Sequence, residues 1–181
     1  MIPLSYPQPD LCAGAIRLRR WSLDDLACIR EASADPRIPE GTTVPAECSD
    51  DAGRAFIERQ WSRLDNGEGI SLAIESGHLA RAVGLVVLLL RPQLGVAGLG
   101  YWVVPSARRR GYATCAVRLL SDWALAEIGI ERVEAWVEPE NAASRRVLET
   151  VGFEFEGRLR SFLAFPTRRA DAIVLSRVAT G

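Results

Sequence analysis

Apolar residues alternate with polar or small ones along several short stretches of the chain, a spacing typical of β-strands. In residues 132–137, for example, Val133, Ala135 and Val137 fall on one side of the predicted strand. Residues 83–90 are apolar almost throughout, which predicts a strand buried on both faces. The strands predicted in this way are 16–20, 70–74, 83–90, 99–104 and 132–137.

Apolar residues three or four positions apart predict helices between these strands. Ser22 and Asp25 have the spacing of a capping box, so a helix is expected from this pair to about Ser33. Further helices are predicted over residues 49–66, 113–128 and 141–151.

Two segments are rich in proline, which argues against regular structure. Residues 1–14 contain three prolines and are expected to form an extended arm ahead of one domain over residues 15–181. Residues 35–48 contain Pro36, Pro39 and Pro45 and are predicted to be a loop. Loops of this length often hold substrate.

Composition limits the classes of function that fit the chain. With 181 residues and no internal repeat, it is long enough for one domain with a sizeable core. A net charge of −1 argues against a surface that neutralises many nucleic-acid phosphates. The longest apolar run, residues 82–90, is far too short to cross a bilayer. We therefore expect a cytoplasmic protein that binds neither nucleic acid nor membrane.

The four cysteines, Cys12, Cys28, Cys48 and Cys115, lie far apart, and no C-x-x-C pair occurs. With a single histidine besides, the sequence favours neither a disulfide framework nor a zinc site. We expect free thiols and no metal. The histidine, His78, falls at a predicted hairpin turn, which indicates an exposed side chain without a catalytic role.

A basic turn leads from the strand at 99–104 into the next helix, and its chemistry suits an anion. Backbone N–H groups at a helix start have no partner inside the helix, and the helix dipole adds partial positive charge there. Gly111 lets the backbone approach a ligand closely, while Arg108, Arg109 and Arg110 add charge and fork-shaped donors. A pyrophosphate would fit this turn, although merely solvated arginines would give the same pattern.

The order Arg-x-x-Gly-x-Ala from Arg108 to Ala113 is neither the dinucleotide pattern G-x-G-x-x-G nor a nucleotide P-loop. It resembles the acyl-CoA signature of the GNAT acetyltransferase superfamily, Gln/Arg-x-x-Gly-x-Gly/Ala. That signature follows a Val-x-Pro at the end of the preceding strand, and Val103, Val104 and Pro105 match it here.

The short helix over 141–151 is the second informative stretch. Asn141, Ser144 and Leu148 are spaced to line one stripe of it. By themselves, Asn141 and Ser144 also fit structural roles, as a helix cap and as a hydroxyl bonded to backbone. The pattern Asn-x-x-Ser-x-x-Val-Leu-Glu-x-x-Gly-Phe at 141–153 resembles the RimJ/RimL branch of the superfamily, the ribosomal-protein alanine N-acetyltransferases and their relatives.

Gly-Tyr-Trp-Val at 100–103 also resembles that branch. The resemblance implies a single-domain α/β fold with a mixed sheet of about seven strands flanked by about four helices. Acetyl-CoA would lie where two central strands splay apart. A last hairpin, over 154–163 and 169–178, would close the acceptor side.

The resemblance also implies roles for individual residues. Backbone groups of Val103 and Val104 would contact the pantetheine, and Asn141 and Ser144 would lie near the thioester. The residues expected around the pyrophosphate are Arg108, Arg109, Arg110, Gly111, Tyr112, Ala113 and Thr114.

Two positions depart from the family patterns. The RimJ/RimL branch usually has glutamate where this chain has Cys115, and many GNAT enzymes have a tyrosine acid where it has Leu148. Cys115 near a helix start could form an acyl-enzyme, but a small packed hydrophobe is the commoner role of a free cysteine. Ser144 is then the candidate proton donor to the leaving sulfur, with Asn141 beside it.

The simplest mechanism is direct attack of a neutral amine on the thioester, with the N–H of Val103 or Val104 stabilising the oxyanion. Glu138, at the end of its strand, is the candidate base through a water molecule, and Glu40 in the predicted loop is the second candidate. Neither step needs a metal.

These expectations combine into an N-acetyltransferase that uses acetyl-CoA as co-substrate and acts on a primary amine. A protein or peptide N-terminal α-amine is the favoured acceptor. A small amine such as an aminoglycoside is one alternative, and a non-catalytic acyl-CoA-binding module is another. The chain is expected to be a monomer or a homodimer.

Overall fold

A single eight-stranded sheet runs through the protein, in a computed structural model that describes residues 4–179. The strands lie in the order β1-β2-β3-β4-β5-β6-β8-β7, and all neighbours are antiparallel except β5 and β6. Their bounds are β1 Leu11–Ala13, β2 Ile16–Arg19, β3 Gly69–Ser76, β4 Arg81–Leu90, β5 Val96–Val103, β6 Arg132–Val137, β7 Glu154–Ala164 and β8 Arg169–Val178.

Five α-helices connect and cover these strands. They are α1 Leu26–Ser33, α2 Arg37–Gly41, α3 Asp50–Asp65, α4 Tyr112–Glu127 and α5 Ala142–Val151. The expected capping box is present, with Ser22 accepting from the backbone of its first turn and donating its own N–H to Asp25. No helix within residues 4–179 is long and apolar enough to cross a membrane.

The two faces of the sheet are covered by different helices. Trp102 of β5 packs against Trp21, which in turn packs edge-on against Phe56 of α3. Its neighbour Tyr101 is hydrogen-bonded to Ser144 of α5. Because successive side chains of a strand point to opposite faces, α1 and α3 lie on one face and α4 and α5 on the other.

The expected splay lies between β5 and β6. These parallel strands pair only from Val96 to Gly98. Beyond that point β5 stays paired with β4 as far as Val103, while β6 stays paired with β8 as far as Val137. The upper halves of the two central strands are therefore separated by a gap that leaves their inner backbone groups unpaired in the sheet.

Two expectations about irregular segments are corrected. The supposed loop at 35–48 contains α2, which begins after Pro36. Pro36 and Pro39 both fall at the cap or first turn, where a helix N–H has no partner inside the helix, so neither proline breaks it. The supposed arm at 1–14 contributes β1, which pairs with β2 and makes the sheet eight-stranded; residues 1–3 lie outside the described part.

Candidate active site

The start of α4 has the features of an anion site. Gly111 is its N-cap with φ +78°, in the left-handed region that favours glycine, and no side chain caps the helix. The first-turn N–H groups of Tyr112, Ala113 and Thr114 have no partner inside the helix. Arg109 and Arg110 are exposed, and neither makes an ion pair within residues 4–179. The side chains of Arg109 and Arg110 and the N–H groups of Gly111, Tyr112, Ala113 and Thr114 can therefore present donors to one anion here.

Arg108 differs from its two neighbours, because its guanidinium is already bound. Its Nε donates to the carbonyl of Val103 at 2.9 Å, and its Nη2 lies 2.6 Å from the carboxylate of Asp35. Burial alone would raise the pKa of Asp35, but the bonds from Arg108 and from the Arg37 backbone outweigh it and lower that pKa below its usual range. The Nε and Nη2 groups of Arg108 are thus engaged within the protein, which leaves this side chain less available for phosphate than those of Arg109 and Arg110.

Tyr112 is likewise turned away from the predicted anion. Its side chain is buried, and its hydroxyl lies 2.9 Å from the hydroxyl of Ser76 on β3. Only the backbone N–H of Tyr112 is left for the role that the sequence suggested.

Of the two valines expected to face the thioester, only Val103 has a free N–H. The Val104 N–H donates to Val83 of β4 at 2.9 Å, and its carbonyl accepts from Ala107 at 3.0 Å. Since N–H groups alternate in direction along an antiparallel strand, the Val103 N–H points away from β4 and into the gap. Val104 is therefore excluded as the oxyanion donor, and Val103 is retained.

Asn141 and Ser144 lie at the start of α5 with different functions. The Asn141 side chain caps α5 by accepting from the Ser144 N–H at 3.1 Å, which is the structural alternative considered for it. The Ser144 hydroxyl lies 2.7 Å from the hydroxyl of Tyr101, which also lies 3.1 Å from the Ser144 carbonyl. Burial raises the pKa of Tyr101 to about 12, and the Ser144 bond offsets this only in part, so its phenol stays protonated.

Both candidate bases bind the same arginine. Arg168, in the turn between β7 and β8, contacts the two carboxylate oxygens of Glu138 at 2.5 and 3.2 Å. Its Nε lies 2.9 Å from Glu40 of α2. These bonds raise the pKa of Arg168, which stays charged. Both carboxylates are thus engaged by Arg168, and the cluster joins α2 to the last hairpin.

The other three residues considered from the sequence are two packing residues, Cys115 and Leu148, and one exposed residue, His78. Cys115 packs against the core, its sulfur lies 3.6 Å from the Ala13 carbonyl, and burial raises the pKa of its thiol. Leu148 is fully buried and His78 is exposed. Within residues 4–179 no group of three or more His, Cys, Asp or Glu side chains is arranged to hold a metal ion.

The site thus combines three features: the gap between the parallel strands β5 and β6, the uncapped start of α4, and the hydroxyl pair of Tyr101 and Ser144. A sequence model of the GNAT acetyltransferase domain matches residues 15–154. The chain belongs to the GNAT acetyltransferase family. This confirms the resemblance read from the turn at 108–113, and the chain is an N-acetyltransferase of that family.

Named relatives of this GNAT domain agree with the assignment. The probable N-acetyltransferase YjcK of Bacillus subtilis is 37% identical over 109 residues, which cover 59% of this chain and 60% of that one. The uncharacterized N-acetyltransferase p20 of Bacillus licheniformis is 24% identical over 89% of this chain and 91% of its own length. The structure of Mycobacterium smegmatis RimJ, in complex with CoA-disulfide, superposes with a TM-score of 0.81 at 27% identity, covering 92% of this chain and 83% of that one. The last likeness supports the RimJ/RimL-like branch.

Sequence reasoning missed two residues of the GNAT site. Tyr101 was noted only as part of a family pattern, although strand alternation places it on the same face as Val103. Arg168 carried no signal, because nothing local in the chain pairs it with Glu138, thirty positions earlier.

Proposed function

We propose that this GNAT domain transfers an acetyl group from acetyl-CoA directly to an α-amine at a peptide or protein N-terminus. One observation carries the choice of acceptor: the two carboxylates considered as bases, Glu138 and Glu40, are both bound to Arg168. An enzyme without a free base works best on amines that are already neutral near pH 7.

The donor is expected to bind on the face covered by α4 and α5. Its phosphates would accept hydrogen bonds from the uncapped N–H groups at the start of α4 and from Arg109 and Arg110. Its pantetheine would follow the gap beside β5, which brings the thioester close to Val103 and Ser144. The uncapped helix start and the unpaired edge of β5 support this orientation.

The chemistry follows from the groups around the gap. The neutral amine nitrogen attacks the thioester carbonyl, and the Val103 N–H stabilises the negative charge on its oxygen. As the C–S bond breaks, the leaving sulfur takes a proton from the Ser144 hydroxyl, which is hydrogen-bonded to Tyr101. The new amide nitrogen gives its extra proton to water, and water returns a proton to the Ser144 oxygen, so the enzyme is regenerated and no covalent enzyme forms.

Protonation of the acceptor sets the expected preference. An α-amine has a pKa of about 7.7–8.0, so roughly a tenth of it is neutral at pH 7. A lysine side chain, at about 10.4, is neutral in only about four molecules per ten thousand. Without a strong base, lysine is therefore at a roughly 300-fold disadvantage from protonation alone.

A pair of peptides tests the proposal. One has a free N-terminus and no lysine, and the other is N-acetylated and contains one lysine; free thiol release from acetyl-CoA is followed for both. The free N-terminus should react faster, and its rate should rise with pH along the titration of its own amine. Faster reaction of the blocked lysine peptide would contradict the proposal. Acetyl-CoA binding without turnover of peptides or of aminoglycosides would instead indicate a binding module.

A further inference from the structure

An open groove of ≈ 800 Å³ crosses the half of the sheet formed by β6, β8 and β7. Its walls include Arg91, Glu134, Trp136, Gly157, Leu159 and Phe162. Strand alternation assigns its face: Gly98 pairs with Glu134, and Gly98 shares a face with Trp102, on the side of α1 and α3. The groove therefore lies on the opposite face from α4, α5 and the Tyr101–Ser144 pair.

One end of the groove lies at Trp136 of β6. Trp136 borders the gap, because β6 pairs with β5 only as far as Glu134. On the β5 side Gly98 and Gly100 carry no side chains; the Arg91 guanidinium lies over Gly98, and the Val87 side chain lies beside Gly100.

Aromatic and aliphatic side chains form the wall at this end. The rings of Trp136 and Phe162 meet edge to face, with centroids 4.7 Å apart, and the Arg91 guanidinium lies 3.9 Å from the Trp136 ring. Leu159 and Phe162 nonetheless remain 40% and 39% exposed. The tryptophan is thus held on two sides, while the two β7 residues present apolar surface that nothing in the described chain covers.

The charges in the groove are paired with one another. Arg91 binds Glu134 at 3.2 Å, and Arg132 contacts both carboxylate oxygens of Glu156. Two arginines and two glutamates leave no net charge for a charged ligand group to complement. The exposed apolar wall is the one unsatisfied feature, so a nonpolar group is the ligand chemistry that fits.

We propose that this groove is a specificity pocket for a nonpolar side chain, carried by the acceptor's amine-bearing residue or by the residue next to it. The inference rests on the proposed function and narrows it, since a polyhydroxylated, highly charged amine gains nothing from Trp136, Leu159 and Phe162. Covering the exposed part of Phe162 should favour a nonpolar acceptor by about tenfold over a polar one.

The test compares two lysine-free peptides that differ only in an N-terminal leucine or serine. Their kcat/KM values are measured at pH 9, where both α-amines are neutral. Wild-type protein should prefer the leucine peptide about tenfold, and Phe162→Ala should remove most of that preference by lowering kcat/KM for the leucine peptide much more than for the serine peptide. Phe155→Ala is the matched control, because Phe155 lies on the same strand but faces Arg145 of α5. Leu159→Gln provides a second variant if Phe162→Ala melts early by circular dichroism.

A binding measurement separates this inference from the function on which it rests. Calorimetry with CoA present measures peptide binding without turnover. Turnover without leucine preference, or a preference that survives both groove variants, overturns the pocket and leaves the proposed function standing. Absence of turnover together with Phe162-dependent binding of the leucine peptide overturns the function and supports the pocket. If the protein shows neither turnover nor peptide binding, both the pocket and the proposed function are overturned.

Discussion

The guanidinium of Arg108 joins the buried carboxylate of Asp35, 2.6 Å away, to the carbonyl of Val103, 2.9 Å away. Asp35 lies in the short segment between α1 and α2, and Val103 ends β5 beside the gap. One side chain therefore ties that segment to the strand that carries the proposed oxyanion donor. These contacts favour a positioning role for Arg108, and they leave Arg109 and Arg110 as the arginines proposed to bind the anion.

Arg108→Ala should lower both stability and kcat. It leaves a buried carboxylate without its main partner, which should reduce the free energy of unfolding by about 2 kcal/mol. It also frees the Val103 carbonyl, so kcat should fall more than the KM for acetyl-CoA rises. Urea denaturation and initial rates measure the two effects, and Arg108→Lys should recover part of both because it keeps the charge. A large rise in the KM for acetyl-CoA at unchanged kcat would instead mean that Arg108 binds phosphate.

The Asp35 pair should also make stability depend on pH. Because the pKa of Asp35 is lower in the folded protein, its stabilising effect is complete above the ordinary carboxyl pKa of about 3.9 and is lost as the pH falls through the folded value. Asp35→Asn should therefore flatten the acid side of the stability curve, with a smaller loss of stability below pH 4 than at pH 7. Equal losses at both pH values would show that the charge of Asp35 is not what matters.

Binding of acetyl-CoA should depend on the start of α4. Arg110→Ala should weaken it by about 1.5–3 kcal/mol if the guanidinium makes a charge-assisted phosphate bond. Gly111→Val should weaken it more, because a branched residue at φ +78° strains the turn and blocks close approach of the backbone. Arg54→Ala, an exposed arginine on α3, serves as the charge control in calorimetry. Wild-type affinity in both turn variants would remove the assignment of this site.

The Tyr101–Ser144 pair should assist departure of the sulfur. Ser144→Ala should reduce kcat more than it raises the KM for acetyl-CoA, and Tyr101→Phe should do the same to a smaller extent because it removes only the supporting hydroxyl. A thiol pKa of about 8.5 makes CoA a good leaving group without help at high pH, so both losses should shrink above that pH. Steady-state rates between pH 6.5 and 9.5 measure this, and a pH-independent loss would favour a purely structural role.

Cys115 should be a packing residue. Its thiol is partly buried, and its pKa is raised by that burial, so little thiolate forms near pH 7. Cys115→Ala should keep most of the activity, and initial-rate patterns should be sequential because no acyl-enzyme is made. Mass spectrometry of protein mixed with acetyl-CoA is the direct check, and a stoichiometric acetyl group on Cys115 would show that the cysteine is a nucleophile.

The sequence by itself determined the features whose causes are local. Gly152 ends α5, and alternation gave β6 its bounds at Arg132 and Val137, because backbone sterics and side-chain period act over a few residues. The Arg-x-x-Gly-x-Ala order at 108–113 indicated the family for the same reason, since it is a local pattern of six residues. The helix α2 was not predicted although its causes are local. Its prolines argued against regular structure, but Pro36 and Pro39 fall at the cap and first turn, where a helix tolerates proline.

Only the tertiary structure decided which of the predicted residues are available for chemistry. Four bonds show this: Arg108 with Asp35, Val104 with Val83, Glu138 with Arg168, and Tyr101 with Ser144. In each pair the two residues are distant in the chain, and Tyr101 and Ser144 are 43 positions apart. Such bonds form when strands and helices pack, and neither residue type nor spacing encodes which donor meets which acceptor. The sequence could name the family and the turn proposed to bind its donor, but the unpaired Val103 N–H, the Arg168 contacts of Glu138 and Glu40, and the apolar groove required the packed sheet.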